Sequence, residues 1–353
     1  MNINIDLVLW VVFAVLMTAF FILDLGILNK TPKKLSTRSA LLQAGSWVMI
    51  AVAFGFFIYY FYEPPQIPKM PVITRQDAAF QYFTAYVTEY ALSVDNIFVI
   101  IIILRYFHVE EKYHHKVLFW GILGALVMRG IFIFLGATLI HQFHWILYFF
   151  GAFLLYTGIK MLVVKDDDDV NVNDSSVIKL ARKYLNFTQD YHGEKFYIRQ
   201  NGVLYFTPLF LVIILIESTD LIFAIDSIPA VFSITQDEFI LYTSNIFAIM
   251  GLRAMFFLLS GILDKFYLLK KGLSLVLMFI GFKMMLHMFE DIGQMLNSPF
   301  IASLDNFKIS TQLSLIIILS LLAGSIVLSL LIPRKKEQEI SENVQPSESP
   351  VKK

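Results

Sequence analysis

The 353-residue chain is 57% hydrophobic and only 16% charged, with a mean hydropathy of +0.67. Soluble domains carry about 25% charged residues, so a soluble globular reading is disfavoured from the start. Lysine plus arginine and aspartate plus glutamate both number 28, which leaves no net positive field for nucleic acid. Cysteine is absent, which removes disulfides, thiolate metal sites and a cysteine nucleophile.

A bilayer-crossing helix needs about 20 mainly apolar residues. The sequence predicts nine, over about 6–28, 39–62, 78–106, 117–140, 144–164, 203–233, 239–261, 267–289 and 312–332. Met1–Asp6 carries no positive charge and the first apolar run is long for a signal peptide, so no cleavable leader is expected. Long continuous runs also argue against a strand barrel. The predicted class is an all-α polytopic membrane protein.

Alternate connections differ sharply in charge. One set, with the C-terminal tail, holds 21 lysines and arginines, whereas the other holds only Lys69, Arg75 and Lys308. Positive residues mark the cytoplasmic side, so the N-terminus is expected outside and the C-terminus inside. The loop at 165–202 contains the acidic run Asp166–Asp169 and reads as a solvated linker, with a cation-attracting antenna as the alternative. The polar tail 333–353 is expected to be disordered.

The stretch from Glu89, EYALSVDNIFVI, aligns without a gap on DLIFAIDSIPAV from Asp220. Glu89 then falls on Asp220, Asp95 on Asp226 and Asn96 on Ser227. Further on, VMRGIFIFLG matches GLRAMFFLLS, pairing Arg129 with Arg253, and TGIKML matches IGFKMM, pairing Lys160 with Lys283. These markers define three-helix repeats over 78–164 and 203–289, which enter the membrane from opposite sides. Two helices in 1–77 and an outer loop with a ninth helix in 290–332 are then peripheral. Inverted repeats characterise many secondary transporters, whose substrate site lies near the midplane.

Six carboxylates fall within apolar spans: Asp24, Glu89, Asp95, Glu217, Asp220 and Asp226. Together they represent roughly 15–20 kcal/mol of unfavourable insertion, so they must face a polar cavity, pair with basic groups or hold a cation. Arg129 and Arg253 are the obvious partners. Six acids against four bases (Arg129, Arg253, Lys160 and Lys283) leave two negative charges, which one divalent cation or shifted protonation would neutralise. Glu217 and Asp220 share a helical face. Asp226 lies about 240° further round, unless Pro229 breaks the helix and frees carbonyl oxygens as ligands. Ser93, Asp95 and Asn96 offer a similar set in the first repeat.

Carboxylate, amide and carbonyl oxygens suit Mg²⁺, Ca²⁺ and Mn²⁺. His108, His114 and His115 sit on one connection and His141 and His144 near the other face, so no nitrogen site is expected. The sequence has no HExxH, GxSxG or Walker motif, and an enzyme is not expected. An intramembrane aspartyl protease is the remote alternative.

These motifs resemble the TerC family of bacterial integral membrane proteins, in particular its Alx-like branch. The resemblance spans residues 5–332. It is carried by Glu89-Tyr-Ala-Leu-Ser-Val-Asp95-Asn96, by Glu217-Ser-Thr-Asp220 through Asp226-Ser-Ile-Pro-Ala, by Ser244-Asn245 through Arg253-Ala-Met, and by Asp24-Leu. It implies an inner-membrane protein related to the LysE-type transporters and associated with manganese export and tellurium resistance. It also implies functional acids at Glu89, Asp95, Glu217, Asp220 and Asp226. Ala91 departs from the serine that relatives often carry.

The expectation is therefore a divalent-cation exporter, with Mn²⁺ as substrate and no organic cofactor. Glu89, Asp95, Asn96, Glu217, Asp220 and Asp226 are the expected ligands, and protons the coupling ion. Asp24, Arg129, Arg253, Lys160 and Lys283 serve charge pairing or coupling. A non-transporting scaffold for stress resistance or metal loading, docking partners at 165–202 and 333–353, is the alternative. A proton-coupled carrier of another small cation is the third.

Overall fold

The computed structural model describes residues 5–21, 37–64, 73–143, 145–163, 176–260, 266–295 and 309–332. Asp24, the Asp166–Asp169 run and the 333–353 tail lie outside the described residues. The elements in order are α1 (Ile5–Phe21), α2 (Thr37–Phe61), α3 (Arg75–Tyr106), α4 (Glu111–Gln142), α5 (Ile146–Val163), α6 (Ser176–Tyr184), β1 (Tyr197–Gln200) and β2 (Val203–Phe206). They continue as α7 (Pro208–Phe232), α8 (Glu238–Met250), α9 (Leu252–Ser260), α10 (Leu269–Met295) and α11 (Thr311–Leu331). Among the described residues, seven helices are long and apolar enough to cross a bilayer, with α8 and α9 read together as one. The described part of the first expected span, α1, and the expected span at α10 are also helical. The chain is an all-α polytopic membrane protein.

Local chemistry sets the helix boundaries. Thr74 and Asp77 form a reciprocal capping box at the start of α3. Thr207 stands at the N-cap position of α7, its hydroxyl donating to the Lys195 carbonyl (2.7 Å), and Pro208 follows in the first turn, where a missing N–H costs nothing. Within the spans, several hydroxyls bond to the preceding turn, as Ser218 does to the Ile214 carbonyl (2.6 Å) and Thr219 to that of Leu215 (2.7 Å).

Two expectations need correction. The span from 203 begins instead at Pro208, because Val203–Phe206 is a strand paired antiparallel with Tyr197–Gln200. The Asn201-Gly202 turn has positive φ at both residues (49° and 81°), which is what a tight type I′ hairpin demands. The 165–202 segment is thus partly folded, carrying α6 and this hairpin, rather than a plain linker. Pro229 does not break α7 either, since the helix runs through it to Phe232. It stands in the last turn, where the loss of one hydrogen bond to Ile225 leaves little helix to disrupt.

α3 is the central helix, packed against α2, α7, α8, α9 and α11, while α4 lies along α7. The closest helix pair is α5 with α10. A Cβ added at Gly281 would lie 2.6 Å from the Leu155 nitrogen and 2.7 Å from the Gly151 carbonyl oxygen. One added at Gly158 would lie 2.8 Å from the Ser274 carbonyl oxygen. Small residues that bring backbones this close supply the dispersion that drives association within lipid. Gly281→Ala should therefore destabilise the protein by about 1–3 kcal/mol, measured by denaturant titration in micelles. A neutral result would show that the seam can relax.

The two ends of the bundle are distinct. At one, Phe256 and Phe257 of α9 meet the rings of His114 (5.8 Å) and His115 (4.7 Å) in the first turn of α4. There Tyr191 donates to the Phe107 carbonyl (2.7 Å), and Lys116 to that of Glu194 (2.6 Å). With Arg105, Lys112, Arg182 and Lys183 nearby in sequence, we call this the basic end. At the other, Tyr62 donates to Asp237 Oδ2 (2.6 Å) and Thr235 to Gln81 Oε1 (2.8 Å). Burial pushes the Asp237 carboxyl above its ordinary range, while the Tyr62 hydroxyl and the Ile240 N–H pull it back.

Candidate functional site

The sequence places Glu89, Asp95 and Asn96 on α3 and Glu217, Asp220 and Asp226 on α7. Each helix is unbroken, so groups six residues apart stand about 9 Å apart along the axis and about 240° apart around it. That spacing divides the acids into two groups on different faces.

The first group spans three helices. Arg129 of α4 is 1% exposed and is ion-paired with Glu89, which is 0% exposed. The same guanidinium approaches Asp220 Oδ1 at 3.4 Å. Asn96 Nδ2 donates to that oxygen too, at 3.1 Å. A buried ion pair is held together because each charge, once desolvated, has few other sources of compensation. One cation between two carboxylates still leaves an excess negative charge. Glu217, one turn before Asp220, lies against Gly124 so closely that a Cβ there would overlap its carboxylate.

The second group joins α3, α5 and α7. Asp226 accepts a hydrogen bond from Thr157 and lies in the fields of Asp95 and Lys160. Asp95 and Asp226 are like charges, and Lys160 is the neighbouring compensating cation. Lys283, the counterpart of Lys160 in the sequence alignment, donates instead to Ser314 of α11 (2.9 Å). Arg253 is 3% exposed on α9, which packs against α2, α3 and α4. Asp24 lies outside the described residues.

Six converging ligands are not what this arrangement provides. Among the described residues, no three His, Asp or Glu side chains are grouped so as to hold a metal ion. The continuous helices are the reason, because they send Asp220 and Asp226 to different partners. Several buried oxygens nevertheless have no hydrogen-bond partner: Asn96 Oδ1, Asp220 Oδ2, Glu217 Oε1, Asn245 Oδ1, Ser93 Oγ and Ser227 Oγ. Sequence reasoning missed Thr157 and Gly124. Thr157 was accessible, since it stands three residues before Lys160 and shares its helical face. Nothing in the sequence linked Gly124 to Glu217.

Together, the fold and this charge network define a multi-pass helical membrane protein with an ion-paired carboxylate core. The chain belongs to the TerC family of integral membrane proteins, whose model matches residues 74–337. It is 43% identical over 279 residues to a Photorhabdus laumondii protein named Alx, a membrane-bound redox modulator, covering 79% of this chain and 86% of that one. An Escherichia coli protein of the same name is 43% identical over 280 residues, 79% of this chain and 85% of its own length. A Myxococcus xanthus membrane protein is 39% identical over 92% of each chain. No solved structure matches.

Proposed function

We propose that the protein is a transporter rather than an enzyme, exporting a divalent cation, Mn²⁺ first among them, by alternating access across the bacterial inner membrane. The basic end is then cytoplasmic, by the charge asymmetry of the connections. The observation that carries this reading is Arg129 lying between Glu89 and Asp220 at the membrane core. A resident cation that holds two buried carboxylates is suited to alternate with a mobile cation at the same oxygens. An oxyanion such as tellurite would be repelled by these acids, so the charge favours a cation.

The helix packing supports two repeats related by a two-fold axis. Such an axis exchanges α3 with α7, α4 with α8–α9, and α5 with α10. Contacts α3–α8 and α4–α7 are then counterparts, as are α5–α7 and α3–α10, while α5–α10 and α3–α7 lie on the axis. Asp95 and Asp226 would bind the cation from matching positions at one stage of the cycle, and Glu89, Asp220 and Glu217, in the separate group around Arg129, would bind it at another stage or carry counter-transported protons.

The scaffold reading draws on the folded insertion, which presents exposed Leu180, Tyr184 and Tyr197 at the basic end. Relatives named as redox modulators fit either reading. This chain has no cysteine, so a redox effect would arise from what it moves or binds. Purified protein in liposomes decides between the two. Saturable Mn²⁺ flux establishes transport, whereas no flux of Mn²⁺, Ca²⁺ or Mg²⁺, with or without a pH gradient, favours the scaffold.

A further inference from the structure

We infer that a cation arriving from the basic end first meets Asp220 and Asn96, through a cavity enclosed by α3, α4, α7 and α9; this rests on the transporter reading above. The cavity has a volume of about 30 Å³, and both residues line it. A water needs about 10–15 Å³ of such space, so there is room for an ion with a remaining water. Asn96 is 4% exposed, and its Oδ1 has no hydrogen-bond partner; neither has Asp220 Oδ2. The rest of the wall is apolar, including Ile100, Leu118, Ile122 and Phe256.

The cavity's position follows from chain direction. Its α3 residues follow Asn96, its α4 residues precede Arg129, its α7 residue Ile216 precedes Asp220, and Phe256 follows Arg253. All four runs lead toward the end where Phe256 meets His114. The cavity therefore lies between the ion-paired core and the basic end.

The order of contact follows from the hydrogen bonds. Asp220 Oδ1 is engaged by Arg129 and Asn96, whereas Oδ2 is buried without a hydrogen-bond partner. An entering cation can take Asp220 Oδ2 and Asn96 Oδ1 before any ion pair breaks. Both are hard oxygen donors, suited to Mg²⁺, Ca²⁺ or Mn²⁺. Its charge then competes with Arg129 for Asp220. Glu89 engages last, because it lies beyond Arg129.

The cysteine-free sequence makes a direct test available. A single cysteine replaces Ala125 in the cavity wall, with Leu135→Cys (54% exposed) as a lipid-facing control and Tyr184→Cys (71% exposed) marking the basic end. Sealed vesicles of each orientation are treated with a membrane-impermeant cationic methanethiosulfonate. Ala125→Cys should react only from the side that labels Tyr184→Cys, and Mn²⁺ should slow the reaction at least several-fold. Adding Asn96→Ala should remove that protection while labelling persists. Reaction only from the opposite side, or none during active flux, overturns the inference. If liposomes carry Mn²⁺ but no divalent ion protects Ala125→Cys, transport stands and this entry site falls. Protection without flux keeps the binding site and removes the transport reading.

Discussion

Arg129→Met should destabilise the protein by about 3–5 kcal/mol, the usual cost of removing one member of a buried ion pair. Methionine fits the space but leaves Glu89 and Asp220 as uncompensated anions in a low-dielectric core. The effect should appear as a large shift in a detergent-denaturation midpoint. The cost belongs to the stranded carboxylates rather than to the lost side chain. Adding Glu89→Gln and Asp220→Asn should accordingly restore most of the stability, and this non-additivity is the signature of direct coupling. Arg129→Lys should rescue only in part, since a compact ammonium cannot present the planar donor fork that spans two carboxylates. A loss below about 1 kcal/mol for Arg129→Met would show that water already screens these groups.

The second expectation separates function from stability. Asp226→Asn and Asp95→Asn should each reduce Mn²⁺ flux by roughly 100-fold, equivalent to about 3 kcal/mol of lost interaction with a desolvated ion. Folding should survive in both. An amide oxygen still accepts the Thr157 hydrogen bond, and neutralising either acid relieves repulsion between the two carboxylates. Flux and unfolding measured on the same preparation test both halves. Wild-type flux in both variants would remove Asp95 and Asp226 from the transport site.

Much of the helical scaffold was legible because lipid imposes long apolar runs, and α2, α3, α5 and α11 begin and end within three residues of their expected bounds, while α4 starts six residues earlier than expected. Arg129 was legible as a partner because few basic residues interrupt those runs. The hairpin at Asn201-Gly202 had a clear signal that was outweighed by the apolar residues following it. Val203–Phe206 reads equally as the start of a span or as a strand, and only pairing with Tyr197–Gln200 decides. Pro229 misled for a different reason, because a proline's effect depends on how much helix follows it. Because α7 continues through Pro229 rather than breaking as expected, the 240° offset between Asp220 and Asp226 persists. No rule of spacing predicts that Gly124 meets Glu217, since that contact depends on how α4 lies along α7.

The glycine seam between α5 and α10 bears on how such a molecule can move. It joins the last helix of one proposed repeat to the last helix of the other, with backbone against backbone at Gly281 and Gly158. Interlocked main chains resist sliding, because a shift by one residue drives side chains into the space that glycine leaves clear. Small rotations about the contact are far less obstructed. The seam is thus placed to act as a fulcrum, and a rocking motion about it would open the bundle at one end as it closes the other.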